Sequence, residues 1–209
     1  IVHLAGVNRA QTEEEVYEGN LQLASALKKA LLAANFQGHL LFTSSSQEKG
    51  VSTYGKAKKD ARVLLEDTMS TLGGRFTGLI IPNIFGPFCK PNYNSFVATF
   101  CSKIINHESP EVINDANVPL LYVGNLVVQI LEKIKEPTDP LVEIKPDVEV
   151  KVTEVLRLLN SFKAAYLDKN TIPSLKSGFE LQLFNTFRSY IDMDQINPAP
   201  IIQHTDDRG

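Results

Sequence analysis

Three serines, Ser44-Ser45-Ser46, close a short apolar run, and Tyr54 follows nine residues after Ser45 with Lys58 four residues further on. On a helix, positions i and i+4 stack on one face, so an ammonium at Lys58 can lie near the Tyr54 phenol. A free tyrosine has a pKa of about 10, and a neighbouring cation stabilises the phenolate and draws that value toward working pH. Such a tyrosine can act as an acid or a base. A serine hydroxyl delivered from the neighbouring strand end can hydrogen-bond the same substrate oxygen, polarising it where charge develops. Y-x-x-x-K on an amphipathic helix also arises by chance, and serine runs at strand ends are often plain loop. The pattern alone therefore leaves a purely structural role open.

The elements that must position these residues are legible around them. Ile1 to Ala5 is a compact apolar run and reads as a strand. Thr12 and the acidic residues Glu13, Glu14 and Glu15 then cap and charge a helix start. That helix has apolar residues at Leu21, Ala24, Leu27, Ala30, Leu31 and Ala34 and stops near Asn35 and Gly38. His39 to Phe42 is a second strand, Tyr54 to Leu72 a second helix closed by Gly73-Gly74, and Arg75 to Ile81 a third strand broken at Pro82. This alternation of short apolar strands with helices predicts an α/β fold, a parallel sheet wrapped by helices. Ligands in such sheets sit at the carboxyl ends of the strands, where the serines, Tyr54 and Lys58 fall. Farther on, helices are predicted over Asn94 to Asn106, Leu126 to Ile134 and Leu175 to Tyr190, and strands over Val118 to Tyr122 and Asp147 to Val152. Thr153 is a candidate N-cap for a helix reaching Leu167, and Asn197-Pro198-Ala199-Pro200 reads as a linker.

Composition narrows the function classes. The chain has 209 residues, 43% of them hydrophobic, and a formal net charge of -3. Its lysines and arginines are dispersed, which offers no footprint for a nucleic acid or an anionic membrane surface. No apolar run approaches the roughly 20 residues needed to span a bilayer. Two cysteines, Cys89 and Cys101, fit a reducing cytoplasm better than a disulfide framework. Ile1 to Gly6 lacks the basic leader of a signal peptide. The histidines, His3, His39, His107 and His204, have no partner at metal-ligand spacing, and structural roles are expected for them. Cys101 is expected in the core and Cys89 as a small packed hydrophobe, although its loop leaves reactivity open. The face of Phe179, Leu183, Phe184 and Phe187 reads as packing, and Arg188 as a solvated or interdomain ion pair.

Three further stretches carry a likeness. HLAGVNR at 3–9 resembles the fourth strand of extended short-chain dehydrogenases/reductases, Asn20 resembles their helix asparagine, and PNIFGP at 82–87 resembles their substrate-side loop. With the serines and YGKAK these cover residues 1 to about 130. A narrower likeness, in FGPFCKPNYNSFVATFC at 85–101, LFNTFRSY at 183–190 and HTDDRG at 204–209, is to CapF-type enzymes of UDP-N-acetyl-L-fucosamine synthesis. Those join a reductase domain to a C-terminal metal-binding cupin. The resemblance implies a Rossmann-like sheet with a small α/β substrate-side subdomain, and hydride transfer from NADPH (or NADH) to C4 of a UDP-4-keto-6-deoxy-N-acetylhexosamine. Tyr54 would protonate the keto oxygen, Lys58 would lower its pKa and bond the nicotinamide ribose, and Ser45 would orient the carbonyl, with Ser44 and Ser46 as register alternatives. Ala5, Gly6 and Pro82 would join Tyr54 and Lys58 against the cofactor. Asn83, Lys90, Asn92, Tyr93 and Asn94 would face the sugar nucleotide, Lys90 meeting a phosphate. A 4-epimerase or 4,6-dehydratase shares the same frame, and a non-catalytic sugar-nucleotide-binding module is the alternative of another class.

The sequence departs from this pattern in places. The family's G-x-x-G-x-x-G phosphate loop is absent, Ile80 stands where relatives carry Arg, and Asn125 where Asp is common. The expectation is therefore a partial reductase domain over 1–196, with 1–85 as Rossmann core and 86–196 as mixed core and substrate side. Residues 197–209 would lead toward a cupin. These 209 residues alone are expected to bind NADPH weakly and to do no reduction. A homodimer is also expected, built on helices 12–34 and 54–72, with Leu23, Ala26, Ala61, Leu65 and Met69 on its outer strip.

Overall fold

The computed structural model describes residues 1–135 and 140–192. In chain order they form β1 (Val2–His3), α1 (Glu13–Ala33), β2 (His39–Ser45), a 3-10 turn (Ser46–Lys49), α2 (Thr53–Leu72), β3 (Arg75–Ile81), β4 (Asn83–Phe85) and α3 (Phe96–Ile105). They continue with β5 (Asn117–Tyr122), α4 (Val123–Lys135), β6 (Leu141–Glu143), β7 (Val148–Lys151), α5 (Val152–Phe162), a π-helical turn (Lys163–Leu167) and α6 (Gly178–Arg188). The predicted linker 197–200, His204 and the segment 204–209 lie outside the described residues. Two compact units result, one of Ile1–Phe85 with Asn117–Val150, the other of Gly86–Ala116 with the chain from Lys151 onward.

The first unit is a Rossmann-like α/β layer. Its main sheet has the order β1-β2-β3-β6 with every pair parallel, and a second sheet has the order β4-β5-β7. β2 runs three residues past the predicted Phe42, because the whole span from His39 to Ser45 has ladder partners from Arg75 to Ile81 in β3. β1 is shorter than predicted. Only Val2 and His3 pair with β2, opposite Leu41 and Phe42, while Leu4 and Ala5 are exposed. α1 starts at a capping box in which Thr12 accepts from the Glu15 N–H and the Glu15 carboxylate accepts from the Thr12 N–H. Ser52 caps α2 by accepting from the Gly55 N–H, and Gly73, with φ of 69°, ends it.

Alternation along β2 sends Leu40 and Phe42 to one face and Leu41 to the other. Leu40 and Phe42 join Ala24 and Leu31 of α1 and Ala61, Leu65 and Met69 of α2 in one core. Leu41, Leu79 and Ile81 join Leu121, Leu126 and Ile144 in the other. This corrects the expected outer strip of a dimer, since Ala61, Leu65 and Met69 are buried inside the unit. With α1 on one side and the sheet beneath, α2 turns that stripe inward.

The second unit packs α3, α5 and α6 around aromatic rings, with Phe162 edge-on to Phe184 at 5.3 Å and tilted against Phe187 at 6.3 Å. Phe184 and Phe187 are therefore packing residues, as is the fully buried Cys101. Arg188 pairs with no carboxylate among the described residues. It donates to Asn185 and lies 5.3 Å from the Phe184 ring centre. Thr153 is not the cap expected of it. α5 begins one residue earlier, and Thr153 donates its N–H and hydroxyl to Asp115, so a carboxylate from elsewhere in the chain caps the helix.

Candidate active site

The carboxyl end of β2 and the first turns of α2 come together because a glycine stands between Tyr54 and Lys56. A Cβ at Gly55 would lie 2.1 Å from the Gln47 carbonyl oxygen, so the 3-10 turn carrying the end of the serine run can press directly on the helix start. The turn that follows Ser45, the last residue of β2, is thereby held against the first turn of α2, which carries Tyr54. The Ser45 Oγ accepts from the Gln47 N–H at 3.2 Å, and no described residue accepts its own O–H. Ser44 is buried and donates to the Glu48 carboxylate, so its hydroxyl is already committed. Ser46 begins the turn. Ser44 is thus ruled out as a donor to substrate, while the hydroxyls of Ser45 and Ser46 donate to no described residue.

Lys58, one turn beyond Tyr54, is buried. Its Nζ lies 4.5 Å from the centre of the Phe42 ring, a cation–π contact, and Phe42 in turn stacks on His3 at 5.5 Å. On another side is Gly6, where a Cβ would approach Asn20 Oδ1 to 3.3 Å and Lys58 Nζ to 3.4 Å. Asn20 fixes the turn after β1 through its side chain. It accepts from the Val7 N–H at 3.2 Å and donates to the carbonyls of Val7 at 2.8 Å and Val16 at 2.7 Å. The ammonium thus faces a backbone stretch with no side chain in the way.

Burial sets the titration of the site. It pushes Lys58 down to about 8, partly offset by the field of Glu48, and lowers His3, with Lys58 adding to that effect. It also pushes the Tyr54 phenol up. The expected lowering of the Tyr54 pKa by Lys58 is not what the geometry produces. No hydrogen bond joins Tyr54 to Lys58 or Ser45 among the described residues, and the ammonium packs against Phe42. Desolvation of the phenol therefore dominates, and Tyr54 keeps its proton at neutral pH.

Of the other predicted contact residues, Ala5 is exposed after β1, Pro82 joins β3 to β4, and Asn83 is exposed at the start of β4. Lys90, Asn92, Tyr93 and Asn94 belong to the second unit. There Lys90 Nζ lies 5.7 Å from the Tyr93 ring centre, Asn92 donates its N–H to Thr99 at 2.9 Å, and Asn94 accepts from the Cys89 thiol at 3.8 Å. Tyr190 anchors this loop by donating to the Cys89 carbonyl at 2.6 Å, and burial pushes the half-buried Cys89 thiol up. Sequence reasoning missed Glu48 and Arg62, whose buried ion pair lies against Ser44. Only the i, i+4 spacing of Arg62 and Glu66 could have signalled it.

Comparison with known proteins bears out the likeness. No protein-family model matches the chain. The UDP-2-acetamido-2,6-beta-L-arabino-hexul-4-ose reductase of Pseudomonas aeruginosa is 31% identical to it, over 100% of this chain and 56% of that protein. The crystal structure of the capsular polysaccharide assembling protein CapF from Staphylococcus aureus superposes with a TM-score of 0.80 at 30% identity, again over 100% of this chain and 56% of the other. The UDP-N-acetylglucosamine 4-epimerase of Methanobrevibacter ruminantium, at 18% identity and a TM-score of 0.77, shares the fold over 90% of this chain and 75% of its own. The chain thus spans about half the length of the relatives it matches at 30% identity or more.

Proposed function

We propose that this chain carries the chemistry of a nucleotide-sugar reductase, one that reduces the C4 ketone of a UDP-4-keto-6-deoxy-N-acetylhexosamine with NADPH, or NADH, for capsular polysaccharide synthesis. The observation that carries the reading is the buried Lys58 ammonium facing Gly6 and Asn20, one helical turn beyond a phenol that stays protonated. The named likenesses supply the substrate class, a UDP-linked hexulose in the curated relative. A bound nicotinamide would supply the hydride that C4 accepts. Tyr54 gives its proton to the ketone oxygen, so carbonyl becomes alcohol. Ser45 donates its free O–H to the same oxygen and aligns it. The Lys58 ammonium holds the ribose of the cofactor. Ala5, Gly6 and Pro82 complete the cofactor contacts, while Asn83, Lys90, Asn92, Tyr93 and Asn94 bind the UDP-sugar.

Further parts of the proposal are a homodimer and a cytoplasmic location. With Ala61, Leu65 and Met69 internal, Leu32 on α1 and Val63 on α2 are exposed apolar residues that support an outer contact, and two free cysteines support a reducing compartment. The test is a coupled assay of the full-length enzyme with the 4-keto sugar. A reductase consumes one NADPH per sugar converted. A 4-epimerase or dehydratase regenerates its cofactor each turnover, and a binding module takes up UDP-sugar without consuming any. Either of those last two results would overturn the reading.

A further inference from the structure

Buried among the groups just described is an ion-pair network that the proposed reaction does not by itself require. Glu48, in the 3-10 turn after Ser45, receives the Arg62 Nε–H on both carboxylate oxygens at 3.2 Å and an Nη2–H at 3.1 Å, and also accepts the Ser44 hydroxyl. The remaining arm of Arg62 donates to Glu66 at 3.0 Å. The Glu48 and Arg62 side chains are 6% and 10% exposed, which makes this a desolvated pair rather than a surface bridge. The stem of Arg62 crosses β3 at Gly78, where a Cβ would come within 2.7 Å of Arg62 Cδ. A glycine in mid-strand, an arginine one turn beyond Lys58 and a glutamate in the serine turn thus form one assembly. It ties the turn to helix and sheet.

We propose that Glu48, clamped by Arg62, is a positioning residue of the active site, which holds the turn next to Ser45 in place. The proposal rests on the reductase reading for its consequence in turnover, and on the Glu48, Arg62 and Ser44 geometry for the hold on the turn. The Lys58 ammonium packs on the neutral ring of Phe42 from β2 and lies near Gly6 and the Asn20 amide from α1, with the charge of Glu48 acting on it through space and its own charge acting on His3. Tyr54 and Arg62 lie on its own helix. Glu48 is the carboxylate in that set, and its field opposes the loss of the Lys58 proton that burial favours.

The test follows the Lys58 side chain directly, by NMR titration of its labelled Cε, alongside kcat and KM across pH in the full-length enzyme. Glu48→Gln keeps the shape and the acceptor oxygen but removes the charge. It is expected to lower the Lys58 midpoint by roughly half a unit to one unit, and to move the alkaline limb of the rate profile down by the same amount. Glu48→Asp, which keeps the charge on a shorter arm, should leave the midpoint in place while kcat falls roughly tenfold at little change in KM. Glu66→Gln, on the outer arm of Arg62, should leave both unchanged. A Lys58 midpoint unmoved in Glu48→Gln, or a kcat unmoved in Glu48→Asp, overturns the proposal. If Glu48→Gln does not fold, the Glu48→Asp result decides it. A protein inactive toward 4-keto sugars in which the midpoint still shifts would sink the reductase reading and leave the hold on the turn standing.

Discussion

At the scale of single residues, Tyr54 and Lys58 divide the labour through burial. Burial keeps the phenol protonated, and a general acid needs a proton to give. Tyr54→Phe removes that proton and little volume. In the full-length enzyme, turnover should fall by about 10²- to 10⁴-fold with UDP-sugar affinity nearly intact, a loss to be read from kcat and from calorimetry. Lys58 carries the opposite cost. Its charged form is disfavoured in the folded protein, so the unfolded chain binds more protons between about pH 8 and the ordinary lysine range, and stability rises with pH across that window. Below it the penalty is present in full. Lys58→Met should therefore abolish turnover yet stabilise the protein at pH 7 by roughly 1–3 kcal/mol, after allowing for the lost contact with Phe42. The gain should shrink as urea denaturation is repeated from pH 8 toward pH 10.

At the scale of elements, the site depends on how closely the 3-10 turn approaches α2. Gly55 permits that approach, and the obstacle to any larger residue is the Gln47 backbone carbonyl, which cannot swing aside as a side chain could. Gly55→Ala should force the turn away from the helix. The expected cost is about 1–3 kcal/mol, with a kcat reduced further than the stability loss explains, because Ser45 moves with the turn. Comparing the melting temperature and kcat of this variant with Gly50→Ala separates the two effects. A Cβ at Gly50 meets nothing closer than 3.5 Å, so that variant should fall within about 0.5 kcal/mol of the parent.

At the scale of the molecule, the first unit is assembled from two stretches of chain, since the strands and helix of Asn117–Val150 return to the sheet laid down by Ile1–Phe85. Leu121, Leu126 and Ile144 from the returning stretch cover Leu41, Leu79 and Ile81, and β6 pairs with β3. A protein ended at Phe85 should consequently lack one core and expose that face of the sheet, with lost cooperative melting and dye binding as the signs. Leu65→Glu acts on the opposite face. Its side chain is fully buried among α1, α2 and β2, so a carboxylate there should cost more than about 3 kcal/mol and unfold the unit rather than dissociate a dimer. Circular dichroism at several protein concentrations distinguishes these outcomes, because unfolding of this kind is not reversed by raising the concentration.

What the sequence determined by itself is what local periodicity and short spacing can carry. α1 and α2 were legible from helical periodicity, from the capping residue Thr12 and from Gly73-Gly74, and β3 from an apolar run ended by Pro82. The i, i+4 relation of Tyr54 and Lys58 needed only a helix. Tertiary structure decided the rest. Thr43, Ser44 and Ser45 became strand because β3 offered them partners, and Ser44 rather than Ser45 was committed because Glu48 folded back upon it. Ala61, Leu65 and Met69 turned inward because α1 lay beside α2, a choice that an amphipathic helix with two apolar strips cannot make alone. The direction of the Tyr54 shift followed from burial, which depends on every element packed around a group. The pairing of Glu48 with Arg62 spans 14 residues and a change of element, and no period in the sequence connects them.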